Sequence, residues 1–190
     1  MQRETVRPAP SSYPKVCEST VAASQTKERS TLLREHLDGL GNCDSESVTN
    51  RLKLINAQTP HSVQLIDTPE ISPLDNQNCV MYALGLRLNP AYEPDGRYYA
   101  RTAYVKGLID DGYLIYSGPT PGNGLVAVYA NVIRITHLGV AGKYGRIVSK
   151  WGCGYVFSHR PLEVPLGYGQ IVRYFHPIEK KVAYRELRRW

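Results

Sequence analysis

The stretch THLGVAGKYGRIVSKWG, residues 136–152, decides how this chain is read. Apolar residues alternate with polar or small ones on either side of an Ala-Gly-Lys-Tyr-Gly break, the pattern of two antiparallel strands joined by a short turn. Val132–Val140 and Arg146–Trp151 are therefore expected as a hairpin. Pairing Val140 with Arg146 sets His137 opposite Ser149, and opposed residues project from one face of a sheet. A slip of one residue brings Lys150 there instead, a cation and a poor orienter for an imidazole.

Working outward, Leu125–Tyr129, Tyr155–Ser158 and Gln170–Phe175 read as further strands between Pro- and Gly-rich turns. Upstream, DNQNCVMYALGLRLN (75–89) reads as a helix capped by Asp75 or Asn76 and stopped before Pro90. Arg101–Asp110 is a second helix, ended by the Asp111-Gly112 turn. Helices followed by an antiparallel meander predict an α+β fold. Before Asp75 the texture differs. Residues 1–28 are rich in Ser, Thr, Pro and charge and read as a flexible arm. Leu32–Leu40 and Ser47–Asn56 are expected helices, and Ser62–Ile66 a short strand before Pro69 and Pro73. The chain therefore divides into residues 1–74, an arm with an accessory helical segment, and residues 75–190, the main domain.

At 190 residues the chain is long enough for one core. No run approaches 18 apolar residues and the first 15 lack an apolar stretch behind their basic residues, so neither a membrane span nor a secretory signal is expected. The +6 net charge is unevenly placed: residues 1–74 carry −1, and residues 75–190 carry +7. The positive field thus belongs to the second part, where it suits an acidic substrate or partner and does not by itself argue for nucleic acid. Thirteen of the 14 tyrosines follow Cys79, with Tyr98, Tyr99, Tyr104, Tyr113 and Tyr116 grouped ahead of the strands. Their apolar faces and polar tips suit a cleft, and equally the edge of a small core.

Cys17, Cys43, Cys79 and Cys153 show no CxxC spacing, so no metal cluster or disulfide framework is expected, and no cofactor is called for. Cys79 stands apart because it opens the 75–89 helix. In a first helical turn, free backbone N–H groups favour thiolate over thiol. They also stabilise an oxyanion once the sulfur attacks a carbonyl. Its own N–H is the natural first donor, with Gln77, Asn76 or Asn78 supplying a second through a side-chain amide. His137 is the candidate base and Ser149 its orienter. His159, at the end of the YVFS strand, competes as an orienter of His137 or a substrate contact, although loop packing accounts for it as well.

The order of these pieces resembles the NlpC/P60 group of papain-like cysteine hydrolases. The matching residues are NCVMYALG (78–85), PGNGLVAVY (121–129), THLGVAGKYGRIVSKWG (136–152) and YGQIVRYF (168–175). The chain departs from that pattern in having Asn78 before the cysteine and Ser149 as the third polar residue. The resemblance implies a papain-like core in which the cysteine-bearing helix packs on an antiparallel sheet, preceded by an N-terminal helical extension. It covers roughly residues 72–176 and not that extension, which is read from the sequence pattern alone, and it implies a nucleophile at Cys79, a base at His137 and a third residue at Ser149, acting on an amide of a peptide or protein. Such domains also serve in effectors and toxins, so the expected location is cytoplasmic, or outside the cell without a classical signal peptide. The alternative of another class is a catalytically silent module that uses the basic, Tyr-rich half to hold an acidic protein or nucleic acid.

Overall fold

The computed structural model describes residues 17–40, 45–67, 77–86, 100–151 and 154–189. The first sixteen residues, the caps Asp75 and Asn76, the Tyr98–Tyr99 pair, Cys43 and Cys153 lie outside the described residues. The described chain is α+β: five helices and one seven-stranded antiparallel sheet. The helices are α1 (Cys17–Leu37), α2 (Ser45–Gln58), α3 (Cys79–Ala83), α4 (Thr102–Asp110) and α5 (Lys180–Leu187). The strands are β1 (Gln64–Asp67), β2 (Tyr116–Gly118), β3 (Val126–Ala130), β4 (Ile135–Ala141), β5 (Ile147–Lys150), β6 (Val156–His159) and β7 (Ile171–Phe175), ordered β1-β6-β5-β4-β3-β7-β2. Among the described residues no helix is long and apolar enough to cross a membrane.

Helices cover both faces of this sheet. On one face α1, the turn after it and α2 bring Leu33, Leu37, Leu40, Val48, Leu52 and Ile55 against Ala127, Tyr129, Ala141, Ile147 and Phe157. On the other, α3, α4 and α5 bring Val80, Met81, Tyr104, Val105, Leu108 and Ala183 against Val126, Val128, Leu138 and Phe175. Alternation along β3 and β4 makes this division, because neighbouring residues point to opposite sides.

The segment before residue 75 shares the sheet and the core of the rest: β1 pairs with β6 as an edge of the common sheet, and α1 and α2 pack on one of its faces. Arg146 seals that join, its Nη2 donating to Ser62 O at 2.7 Å and its Nε to Ser158 Oγ at 2.7 Å. Within the stretch read as an arm, α1 already begins at Cys17. The 75–89 helix in turn contracts to the five residues of α3. It closes where Gly85 N donates to Tyr82 O and Leu86 N to Met81 O, a pattern that satisfies the last carbonyls and turns the chain.

The central hairpins also differ from their sequence reading. Residues 131–134 form the β3–β4 turn rather than strand, because Asn131 Oδ1 accepts from the N–H groups of Ile133 and Arg134, an Asx turn. Between β4 and β5, Tyr144 and Gly145 both take positive φ, 58° and 69°, and tighten the turn. Val140 consequently pairs with Val148 and not with Arg146. Strand β2, which escaped the sequence reading, is three residues long and, among the described residues, pairs with β7 at the sheet edge.

The turn before β7 leaves least freedom to the sequence. Gly169 has φ +88°, and a Cβ built there meets Ala130 O at 2.3 Å, whereas Gly167 has nothing within 4 Å. Gly169→Ala is expected to destabilise the fold by about 1–3 kcal/mol or more, with Gly167→Ala close to wild type, as read from urea midpoints of the two variants.

Candidate functional site

The two-residue shift of the β4–β5 register preserves face parity, so Ser149 still shares a side with His137 but lies beside Gly139. A Cβ at Gly139 would sit 2.9 Å from Ser149 Cβ and 2.7 Å from Ile147 Cγ2, so the approach depends on glycine. Ser149 is fully buried and bonds His159, not His137: its Oγ lies 2.8 Å from His159 Nε2. His159 Nδ1 lies 2.8 Å from Arg160 O. A carbonyl can only accept, so Nδ1 carries the proton, Nε2 accepts, and the Ser149 hydroxyl donates to it. Trp151 Nε1 completes the chain by donating to Ser149 Oγ at 3.1 Å. Ser149 therefore orients the histidine that the sequence ranked second.

His137 is also fully buried, and neither of its ring nitrogens has a hydrogen-bond partner. Its ring stacks on Tyr168 with centroids 3.8 Å apart and planes 10° apart, and Tyr129, its neighbour across the β3–β4 pair, lies 5.4 Å away. Burial pushes the imidazole well below its ordinary pKa, and nearby His159 pushes the same way. His159 is held at about 4, chiefly by burial, against which the bond to Arg160 and the charge of Glu163 act. Both rings are neutral in the folded protein at neutral pH.

Cys79 is partly buried and is the first residue of α3. It packs with Val80, Met81 and Leu138 on the face opposite Tyr129 and His137. With both His137 nitrogens unpartnered, there is no Cys79–His137 hydrogen bond. The expected Cys79–His137–Ser149 constellation is thus not closed: strand alternation sends imidazole and thiol into different layers. The expected oxyanion donors are scaffold. Asn78 is the N-cap, accepting from Met81 N at 3.0 Å and donating to Ala100 O at 2.8 Å. Gln77 Nε2 donates to Leu86 O at 2.7 Å. Among the described residues no three His, Cys, Asp or Glu side chains converge as metal ligands.

The layers meet at a cleft of about 410 Å³ at the sheet end where β4 begins and β5 finishes, its walls including Thr102, Ile135, Arg134, Trp151 and Tyr168. Ile135 packs in the same layer as Cys79, while Tyr168 covers His137. Three contributors escaped the sequence reading: Tyr168, Trp151 and Arg34, a buried cation of α1 that bonds the backbone under Tyr168. The signal for Arg34 was its position among Leu33, Leu37 and Leu40, on the stripe α1 turns to the core.

Burying two unpartnered nitrogens costs stability. His137→Phe keeps a flat ring against Tyr168 and removes those atoms, so it is expected to leave stability unchanged or raise it by about 1–2 kcal/mol at pH 7, measured by urea unfolding. The neutral pair also sets a pH dependence. Below about pH 6.5 the unfolded chain binds protons that the buried imidazoles refuse, so stability present above that pH falls as the pH drops toward about 4. The drop is on the order of 3 kcal/mol from His159 alone. Urea midpoints at pH 7 and pH 4.5 are expected to differ less in His159→Gln than in wild type. Comparison of the chain with family models, with curated proteins and with solved structures finds no match, so its function is read from these residues.

Proposed function

We propose that the protein is a cysteine hydrolase of the NlpC/P60, papain-like type, acting on an amide bond of a peptide or protein with Cys79 as nucleophile and His137 as base. The observation that carries the reading is the state of His137. It is neutral, stacked, and unpartnered at both nitrogens, one ring away from a cleft. A buried polar group left without partners is costly to the fold. A general base must be neutral with a free lone pair, and His137 meets both conditions. Cys79 adds a partly exposed thiol at the start of the helix that packs on the layer lining the same cleft.

In the reaction, His137 takes the thiol proton as sulfur attacks the substrate carbonyl. The carbon–nitrogen bond then breaks, the imidazolium returns its proton to the leaving amine, and a thioester remains on Cys79. Water deprotonated by His137 attacks the thioester, releasing the acid and restoring the thiol. This requires the imidazole and the thiol to meet at the cleft, with Tyr168 drawn aside. The Cys79 N–H is the oxyanion donor in this scheme. The +7 charge of residues 75–190 favours an acidic substrate. Service as an effector or toxin is the setting we infer from the resemblance.

A second reading is a catalytically silent module that holds an acidic protein in the cleft. The absence of a Cys79–His137 hydrogen bond favours it. Alkylation by iodoacetamide across pH separates the two. In the hydrolase, once Tyr168→Ala uncovers His137, Cys79 reacts half-maximally well below the free-thiol value of about 8.5, and adding His137→Phe moves that midpoint back up. A midpoint near 8.5 that His137→Phe leaves in place establishes the silent module.

A further inference from the structure

We propose that α1 is an inhibitory strap: through Arg34 it fixes the 164–169 turn so that Tyr168 stays stacked on His137 and closes the imidazole off from the cleft. This rests on the hydrolase reading for its meaning, though the contact itself stands without it.

Arg34 is 5% exposed, unusual for a cation on a helix face. It donates to main-chain carbonyls and not to a carboxylate in this turn. Its Nε bonds Val164 O at 3.1 Å, and its Nη2 reaches Pro165 O at 3.3 Å, Leu166 O at 3.4 Å and Gly169 O. Those acceptors bracket Tyr168, the last residue of the 3-10 turn Leu166–Tyr168. A planar fork of donors suits several carbonyls at once, which a lysine ammonium reproduces poorly. Burial lowers the guanidinium pKa, with the charge of Asp38 opposing it, yet an arginine remains charged throughout the working range. The charge is therefore solvated by the carbonyls of the turn it holds.

The lid is seated at its other end too. Thr136 Oγ1 donates to Tyr168 O at 2.6 Å, tying the main chain of the turn to β4 one residue from His137. The side-chain contact with His137, by contrast, is a ring stack with no hydrogen bond to the imidazole. Releasing Arg34 thus removes the α1 anchor of the 164–169 turn and leaves the Thr136 anchor on β4 in place. Asp38 and Gly39, just beyond α1, stand on the cleft wall with Tyr168, so α1 borders the opening that it restrains.

The test uses the full chain and modification of His137 by diethylpyrocarbonate, read by peptide mass spectrometry. Wild type is expected to protect His137. Arg34→Lys and, independently, Tyr168→Ala are expected to raise its modification rate at least roughly tenfold while the far-UV spectrum is retained. Hydrogen exchange of residues 164–169 is expected to quicken in Arg34→Lys but not to spread to β4. If His137 stays protected in both folded variants, the strap is overturned. If either variant exposes it only by unfolding the sheet, seen as loss of β4 protection, the strap is equally overturned, since a lid must open locally. Iodoacetamide kinetics on the same variants keep the two ideas apart. An exposed His137 with an unshifted Cys79 profile sinks the hydrolase and leaves the strap; a shifted profile with His137 still protected does the reverse.

Discussion

Strand β4 is central in a sheet covered on both faces, and that constraint governs everything else in the molecule. A side chain on such a strand has no solvent side to choose, so period-two alternation commits it to one apolar layer or the other. Leu138 goes to the α3 layer; His137 goes to the α1 layer with Tyr129. Once that is fixed, the imidazole is desolvated and neutral, and it can be reached only where the sheet ends. The cleft at that end matters for this reason and not for its size.

The α1 layer carries an unusual amount of polarity for a core. Ser149, His159 and Trp151 satisfy one another in a directed chain that ends on a backbone carbonyl. The Tyr129 and Tyr174 hydroxyls and both His137 nitrogens are left without partners. Tyr129 feels the burial directly, its phenol pushed well above the ordinary value. A satisfied polar network rigidifies a core, while unsatisfied neighbours weaken it. The two kinds of residue lie side by side here, and the rigid part holds still the wall against which the costly part is kept.

What the sequence made legible follows from where short-range rules suffice. The α+β class, the β3, β4, β5, β6 and β7 strands and α4 could be read because alternation and turn residues act within a few positions. The face shared by His137 and Ser149 was readable as well, since parity survives a two-residue slip. The partner of Ser149 was not, because the register depends on Tyr144 adopting a left-handed conformation that a non-glycine residue rarely takes. The separation of Cys79 from His137 was equally hidden. Nothing local in NCVMYALG says which side of a sheet some 60 residues later its helix will cover. The place of β1 in the common sheet was hidden too, because its partner β6 lies roughly 90 residues away.

The chemistry of the Arg34 contact bears on how such a site would be controlled. Had α1 held the turn through a carboxylate and a histidine, mild acid would loosen it. Carbonyl acceptors do not titrate, and the guanidinium keeps its proton, so pH leaves this grip unchanged. The grip is governed instead by the docking of α1, and that rests on Leu33, Leu37 and Leu40 in the shared core. Each of these leucines is nearly or wholly buried, and burying one contributes about 1.5–3 kcal/mol. The hold on Tyr168 is therefore coupled to a hydrophobic seat much larger than the polar contact it supports.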